Sequence, residues 1–430
     1  MNSEGFERRH AVVHGILRQY GLQCDEVIPV AYDERCPFPF NNFIYRVVLS
    51  SPATAANFTK AGPQPCTQPP ATAGVLTLIV RLSNTRAEGL NNSNRVENEV
   101  AALHLARNAV AKFDNDLSEI IPAVYAWKAS DSQCLDESGF GWIVMECMAG
   151  VDLDTQFDGL SQEDKHRVIG SAAKIFAAIQ SVKLPPGVNS HGGLTIDEAG
   201  KIVSGQATLQ EQPDGPWASY EALWLAQFHE KLREADRSGS IKGWHENGVR
   251  QRIDLFINAK LCQTIHDHVD TAGLSLIHTD FTMNNMLFDP ESKRITALLD
   301  FDWAAVTHPA HEFFTSFHDF KGTTRLLDSV SLQRAVLTSD FRRHHDDGEV
   351  DEAWELAAAW DEALRQNGAM RPSDIRGINT LENLRHLADL IAPFHLTNPV
   401  MVKRLTDEQL GDARAKNERA LLEALEALGT

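Results

Sequence analysis

Three oxygen-bearing side chains in the segment 274–304 have the types and the spacing needed for phosphoryl transfer. Asp280 lies two residues after His278, and Asn285 follows Asp280 by five residues. Two short β-type runs separated by a turn come next, and the second run leads into Asp300. A carboxylate can orient an acceptor hydroxyl and accept its proton, while amide and carboxylate oxygens can hold Mg²⁺ against phosphates. The segment therefore predicts one base and two metal ligands at a single site.

The full pattern is more specific than any of its parts. H-x-D-x-x-x-x-N followed by D-F is the signature pair of kinases. A His-x-Asp triplet alone is weak evidence, but here it occurs together with Asn285, the hairpin and the strand end LDFD. The alternative interpretation is an acidic hairpin without catalytic function. Asp302, two residues beyond Asp300, either contacts a second metal ion or only lines the site.

The sequences HTDFTMNNMLFD and ALLDFDWA resemble the aminoglycoside phosphotransferase (APH) superfamily, whose members have the eukaryotic protein-kinase fold. Within that superfamily they resemble the fungal branch, in which the loop typically reads H-G-D-F-x-x-x-N. The likeness spans roughly residues 38–320 and includes GGLTIDEAGKIVSG (192–205), PWASYEALWLAQFHEKLREAD (216–236) and THPAHEFF (307–314).

This resemblance implies roles for individual residues. Asp280 would be the catalytic base, Asn285 and Asp300 would be the Mg²⁺ ligands, and His278 would be the structural histidine that holds the loop. Glu312 stands where the family usually has an aspartate that braces the catalytic loop, a small departure.

The N-terminal part of the chain is expected to bind ATP, through one strand and the helix that follows it. Kinases use a lysine on the third strand, paired with a glutamate on the next helix, to hold the nucleotide phosphates. Here Arg81 occupies the strand position, and Glu99 lies on the following helix with Glu97 as a competing partner. Arginine is always charged and binds carboxylate and phosphate in a fork, so the substitution preserves the electrostatic role while changing its geometry.

Two further nucleotide contacts are predicted. The sequence CPFPFNNFIYRV (36–47) lacks a G-x-G-x-x-G motif, so phosphate contact would depend on backbone amides around Asn42. Glu146 and Met148, in WIVMECMAG, match the hinge between two lobes, where backbone groups would bind adenine.

The order of predicted elements indicates an α+β protein with a kinase-like, two-lobed fold. A helix at 6–20 precedes β-type runs at 43–49 and 75–82, which flank a long Pro/Ala/Thr-rich segment (51–74) expected to be a mobile loop. A helix at 95–113 and strands near 123–127 and 140–148 follow. Helical periodicity dominates thereafter, at 161–182, 218–235, 249–270, 351–366, 379–392 and 406–428. We therefore expect an ATP-binding N-lobe at 1–147 and a catalytic and substrate-binding C-lobe at 148–430.

Charge and composition restrict the partners. The net charge of −19 argues against nucleic acid and anionic membranes. Six scattered cysteines, no apolar run long enough to cross a bilayer and no signal peptide favour a cytosolic protein.

The charge is also unevenly distributed. Residues 1–147 hold 12 basic and 16 acidic residues, a net of −4, whereas residues 148–430 hold 28 and 43, a net of −15. Solubility explains such a surface, but an acidic cleft would select an amine-bearing substrate. Asp302 and Glu312 are the first candidates for cleft carboxylates, followed by acids in helices beyond residue 318.

Three functional hypotheses remain open from the sequence. The first is an ATP- and Mg²⁺-dependent kinase that phosphorylates a hydroxyl of a small molecule. The second is a catalytically silent, nucleotide-binding pseudokinase that acts as an interaction module. Arg81 and the missing glycine-rich loop favour it, and the intact Asp280, Asn285 and Asp300 oppose it. The third is a dehydratase of the same fold that phosphorylates a hydroxyl only to eliminate it. His308 and His311, with Glu312, have the spacing of metal ligands, but no fourth ligand accompanies them and a structural role is favoured.

Overall fold

The computed structural model describes residues 2–30, 36, 39–59, 62–87, 89–131, 133–134, 136–209, 215–324, 329–342 and 352–429. Its N-terminal part is built on a five-stranded antiparallel sheet in the spatial order β1-β2-β3-β5-β4. The strands are β1 (Cys24–Val30), β2 (Asn42–Ala53), β3 (Val75–Ser83), β4 (Val124–Lys128) and β5 (Trp142–Glu146).

Side-chain alternation along β3 determines which residue reaches the site. Val80 and Leu82 are fully buried on the face that packs against α1 (Phe6–Gln19). Because successive side chains of a strand point to opposite faces, Arg81 points the other way. There it meets α3 (Arg95–Phe113), whose bounds match the predicted helix.

The segment between β2 and β3 is anchored, which differs from the mobile loop expected from its composition. β2 continues to Ala53, and a short helix, α2 (Ala55–Phe58), follows. Further along, the Gln64 side-chain amide pairs with the backbone of Trp127 in both directions, at 2.7 and 3.2 Å. Pro- and Ala-rich composition did not reveal these contacts with β4, which depend on tertiary packing.

The remainder of the chain is mainly helical. The predicted helix at 249–270 is divided by a wide π-type turn, Phe256–Lys260, whereas the other predicted helices occur within a few residues of their expected bounds. None of the described helices has the length and apolar character needed to span a membrane. The helices are α4 (Asp154–Phe157), α5 (Gln162–Gln180), α6 (Tyr220–Arg237), α7 (Val249–Leu255), α8 (Leu261–His268), α9 (Ala310–Thr315), α10 (Val330–Thr338), α11 (Glu352–Gln366), α12 (Ile378–Ile391), α13 (Phe394–Thr397), α14 (Pro399–Val402) and α15 (Asp407–Ala427).

Short strands frame the predicted catalytic segment. The hairpin predicted from the sequence is formed by β10 and β11, β6 pairs with β10, and β9 pairs with β12. A separate hairpin, β7–β8, packs against α3. Their bounds are β6 (Val151–Asp152), β7 (Gly193–Ile196), β8 (Ile202–Gly205), β9 (Ser275–Ile277), β10 (Met286–Asp289), β11 (Arg294–Leu298) and β12 (Ala305–Thr307).

A buried asparagine fixes α3 to these strands. Asn98 accepts a hydrogen bond from the amide of Leu194 at 2.6 Å and donates to the carbonyl of Ala304 at 2.8 Å. The approach is close enough to require glycine at 193, since a Cβ there would lie 2.2 Å from the carbonyl oxygen of Gln206. The helix that carries Glu99 is thereby held against the segment that follows Asp300.

Candidate active site

The catalytic loop, residues 278–285, is fixed by a buried carboxylate. Glu312 in α9 accepts hydrogen bonds from the backbone amides of His278 at 2.7 Å and Thr279 at 2.8 Å. Ser316 donates its hydroxyl to the same carboxylate at 2.5 Å. Burial raises the pKa of Glu312 to about 7, although these hydrogen bonds favour its ionised form. Glu312 thus braces the loop, as the resemblance implied.

Thr279 holds an unusual backbone conformation within this loop. Its φ of +69° lies in the left-handed region, where a threonine is strained by roughly 1–3 kcal/mol. The resembling sequences typically have glycine here, which adopts this conformation without strain. The Thr279 hydroxyl donates to the carbonyl of Trp303 at 2.9 Å, which helps to hold the strained position.

Asp280 lies at the centre of the loop and is oriented by Asn285. The Asn285 side-chain nitrogen donates to an Asp280 carboxylate oxygen at 2.8 Å and to the Asp280 carbonyl at 2.9 Å. Burial raises the pKa of Asp280 to about 6, and the nearby carboxylates of Asp300 and Asp319 add to the rise while the bond from Asn285 opposes it. The predicted base and the predicted amide ligand are therefore side by side.

The β10–β11 hairpin brings Asp300 back to the same place. Two hydrogen bonds fix its end: the amide of Leu299 donates to the carbonyl of Asn285 at 2.8 Å, and the His278 ring pairs with the carbonyl of Leu299 at 2.9 Å. His278 is fully buried, in keeping with a structural histidine. The Asp300 carboxylate is 47% exposed, and its backbone has a φ of +59°. A side chain that is turned towards solvent in this way is accessible to a ligand.

Arg81 pairs with Glu99, and Glu97 is not its partner. A guanidinium nitrogen of Arg81 contacts a carboxylate oxygen of Glu99, and both side chains are almost fully buried. Arg81 also lies 3.4 Å from an oxygen of Asp300 and 3.0 Å from an oxygen of Asp302. The predicted pair is present, but it belongs to a larger group of charges.

Sequence reasoning missed Arg95, which completes this group. Its guanidinium grips Asp302 with two nitrogens, at 2.8 and 2.5 Å, and is itself fully buried. The spacing of Arg95 and Glu99, four residues apart on one helix face, was the available signal. We call Arg81, Arg95, Glu99, Asp300 and Asp302 the charge cluster.

Asn285 and Asp300 suit a magnesium ion. Their donors are an amide oxygen and a carboxylate, the hard ligands that Mg²⁺ prefers, and Asp300 is the exposed acid of the charge cluster. The described residues contain no group of three or more His, Cys, Asp or Glu arranged around a metal position. Mg²⁺ bound with nucleotide phosphates needs only one or two protein ligands, so this pair is sufficient.

A protein-family model assigns the chain. The model of the phosphotransferase enzyme family APH matches residues 71–344, more than half of the sequence. The chain belongs to this family. No protein of curated function matches it in sequence.

A solved structure supports the fold of this phosphotransferase. The streptomycin–ATP ternary complex of APH(2'')-IIa superposes with a TM-score of 0.50 and 12% identity, covering 96% of this chain and 97% of that one. The protein-kinase-like, two-lobed α+β fold is thereby confirmed. A candidate aminoglycoside phosphotransferase from Ralstonia eutropha JMP134 has a TM-score of 0.48, 15% identity and coverage of 97% and 98%. Ethanolamine kinase from Plasmodium vivax has a TM-score of 0.40, 12% identity and coverage of 92% and 82%.

The side chain of Asn42, predicted to lie at the nucleotide phosphates, is engaged in internal contacts of the phosphotransferase. The Asn42 amide donates to Asp302 and accepts from Arg95, both at 3.0 Å, so only its backbone could contact a phosphate. Within the predicted phosphate-covering segment, 36–47, residues 37–38 lie outside the described residues.

The predicted hinge residues lie beside a cavity of about 500 Å³. Glu146, Cys147 and Met148 line it together with residues of the β10–β11 turn. The Glu146 carboxylate accepts from the amide of Ala123 at 3.0 Å and lies 3.3 Å from Arg107. Any adenine contact by Glu146 must therefore use backbone atoms, as the sequence prediction specified.

A larger cavity, of about 850 Å³, opens beside the catalytic loop at Met283. Asp319, whose carboxylate accepts from the Met283 amide at 2.7 Å, lies on its wall. We call this space the acidic cavity because five carboxylates line it, against two lysines and one histidine: Asp154, Asp158, Asp319, Glu352 and Glu355 face Lys165, His166 and Lys321.

The first two candidates for cleft carboxylates were wrong. Asp302 and Glu312 do not line the acidic cavity; both are buried, one held by arginines and the other by backbone amides. Acids beyond residue 318, the second set of candidates, do line it. Proximity in sequence to the catalytic strand did not predict which acids line the cavity, because both of these residues are buried in the folded protein.

Proposed function

We propose that this phosphotransferase moves the γ-phosphoryl group of ATP to a hydroxyl of a small, amine-bearing molecule, with Mg²⁺ as cofactor. The observation that carries the proposal is the position of Asp280: it is hydrogen-bonded to Asn285, lies near Asp300, and belongs to a loop that borders a cavity with five carboxylates and two lysines. Family membership supplies the phosphoryl-transfer chemistry.

Each residue has a physical task in this proposal. Asp280 orients the acceptor hydroxyl and takes its proton, and its raised pKa makes it a better base than an ordinary aspartate. Asn285 and Asp300 would hold Mg²⁺, which supplies charge neutralisation for the phosphates. Arg81, with Glu99, fixes the position of Asp300 from the opposite lobe.

The charge of the acidic cavity supports an amine-bearing substrate. Among the described residues that line it, Glu352 has an ion-pair partner, Lys165 at 3.2 Å, whereas Asp154, Asp158 and Glu355 have none. These acids line one concave surface, where their fields add at the position of a bound ligand. A cation in the cavity would be attracted, and a neutral polyol would gain nothing from the charge.

Three further properties of the protein are also proposals. We infer a lobe boundary at 147/148, a cytosolic location and membership of the fungal-type branch, the last from the segments 192–205 and 216–236.

An acceptor screen tests the proposal. The protein is incubated with ATP and Mg²⁺ and with matched pairs of hydroxyl compounds that differ only in an amine, and product masses are recorded beside ADP release. We expect products heavier by one phosphoryl group, formed preferentially from the amine-bearing member of each pair and absent with Asp280→Asn. Nucleotide binding without any product would support the pseudokinase hypothesis, and products lighter by one water would support the dehydratase.

A further inference from the structure

The charge cluster contains three carboxyl groups and only two guanidinium groups, so the acids compete for the arginines. Glu99 and Asp302 are almost fully buried, whereas Asp300 is 47% exposed. Burial without an opposite charge is far more costly than exposure to water. The arginines therefore pair mainly with the two buried acids, and the Asp300 carboxylate is the least neutralised of the three.

Asp302 is the acid that competes with Asp300 for Arg81. One guanidinium nitrogen of Arg81 lies 3.0 Å from Asp302, and another lies 3.4 Å from Asp300. Arg95 holds Asp302 in place from the other side with its two-pronged contact. Arg95 is anchored in turn by the carbonyl of Asn41 at 3.0 Å, so Asp302 cannot drift away from Arg81.

The contacts of Asp302 leave no room for a metal ion. One carboxylate oxygen receives Arg95 at 2.8 Å and lies 3.0 Å from Arg81. The other receives Arg95 at 2.5 Å and Asn42 at 3.0 Å. A carboxylate has about four lone-pair positions; hydrogen bonds from Arg95 and Asn42 use three of them, and Arg81 forms an ion pair with the same group. The sequence-based alternative that Asp302 binds a second metal is therefore not favoured.

We propose that Asp302 is the counter-ion that keeps Arg81 from neutralising Asp300, and that Arg95 is the positioning residue that holds Asp302 for this task. This inference rests on the proposed function, because it assumes that Asp300 binds Mg²⁺. Without Asp302, Arg81 would lose the acid that holds one of its nitrogens at 3.0 Å, and it would turn to Asp300. The metal site would then be occupied by an arginine.

The test compares nucleotide affinity with and without metal. Dissociation constants of a non-hydrolysable ATP analogue are measured by calorimetry in EDTA and in Mg²⁺. The constant in EDTA divided by the constant in Mg²⁺ reports how much the metal increases affinity. In Asp302→Asn we expect this ratio to fall about tenfold, since an arginine competes for Asp300, while affinity in EDTA is kept or improved. Asp412→Asn, the same charge change on the exposed face of α15, should leave the ratio unchanged.

Two further variants keep the inference testable. Arg95→Lys retains the charge but loses the two-pronged grip, and it should shift the ratio in the same direction if Asp302→Asn does not fold. In an Arg81→Met background, Asp302→Asn should have no further effect on the ratio, because Asp302 acts through Arg81. An unchanged ratio in a folded Asp302→Asn or Arg95→Lys variant overturns the inference. So does an equal fall of the ratio when Asp302→Asn is made in the Arg81→Met background. If the wild-type protein gains no nucleotide affinity from Mg²⁺, the proposed function itself fails.

Discussion

The charge cluster and the acidic cavity contain the same kinds of acid in opposite circumstances. In the charge cluster, each carboxylate has an arginine within 3.4 Å, and two of the three acids are buried. In the acidic cavity, Glu352 is the carboxylate with an ion-pair partner among the described lining residues, and the space is open to solvent. Both regions adjoin the catalytic loop, but arginines hold the cluster acids in place, whereas most of the cavity acids have no such partner among the described residues.

The difference indicates what each set of acids can do. A buried carboxylate paired with arginine fixes geometry, because breaking the pair strands a charge away from water. An accessible carboxylate without a partner retains its attraction for an incoming cation. The cluster should therefore control metal and nucleotide, and the cavity should control the acceptor.

The largest effect is expected at the one cluster acid that is exposed. Asp300→Ala removes a proposed metal ligand, and turnover should fall by about 10³-fold. Circular dichroism and thermal unfolding should report an intact fold, since Asp300 is not enclosed in the core. A folded variant with unchanged Mg²⁺-dependent turnover would remove Asp300 from the metal site.

Arg81→Ala should affect stability and nucleotide binding together. It leaves Glu99 and Asp302 buried without a full complement of charge, which is expected to cost about 3–5 kcal/mol of unfolding free energy. Arg81→Lys should restore only part of this loss, since a single ammonium cannot bridge several carboxylates in fork geometry. Denaturant unfolding and ATP titration of both variants measure the two effects. Full recovery by lysine would contradict the importance of the fork.

The acidic cavity should give smaller and more selective effects. Glu355→Gln is expected to raise the KM for an amine-bearing acceptor about threefold, the scale of one accessible charge, with kcat and the KM for ATP unchanged. Glu362→Gln is a matched control, because it makes the same change on the same helix in a residue that pairs with Arg365 outside the cavity. Equal effects of the two variants would mean that the cavity acids serve only solubility.

A third group of buried ionisable residues should affect stability alone. His191, His308 and His311 pack around Tyr220 without an ion-pair partner among the described residues. Burial lowers the pKa of all three, to about 4 for His191 and about 3 for His311. These histidines are not arranged as a metal site.

The sign of their pH dependence follows from these shifts. The unfolded chain takes up protons below about pH 6.5 that the folded chain refuses, so stability is complete above that pH and declines below it. His191→Asn removes one such group, and its stability should fall less on acidification, by about 1 kcal/mol at pH 5.5. Thermal unfolding at pH 7.5 and 5.5 measures the difference. An identical acid sensitivity of variant and wild type would refute the account, and acceptor KM should not change at either pH.

Local patterns in the sequence were enough to predict which residues meet at the candidate site. Asp280 and Asn285 lie on one loop, and a short hairpin returns the chain to them, so spacing alone predicts their proximity to Asp300. The pairing of Arg81 with Glu99 was also accessible, because a strand and the next helix must pack together. These features depend on short separations along the chain.

The contacts within the charge cluster and the acidic cavity could not be predicted from local sequence patterns. Asp302 and Arg95 are separated by 207 positions, and nothing in either neighbourhood indicates the other. The acidic cavity brings the start of α5 to α11, again through long-range packing. Uneven charge indicated that acids mattered in the C-terminal part, but only the fold distinguishes the buried acids from the accessible ones.

The central claim is that the γ-phosphoryl group of ATP reaches a hydroxyl oxygen of a small acceptor. It is tested most directly with ATP whose γ-phosphate oxygens are labelled with ¹⁸O, followed by the mass of the acceptor product. Transfer by attack of the acceptor oxygen on phosphorus predicts a product that carries three labelled oxygens, and none with Asp280→Asn. Labelled inorganic phosphate with an unmodified or dehydrated acceptor would contradict the account.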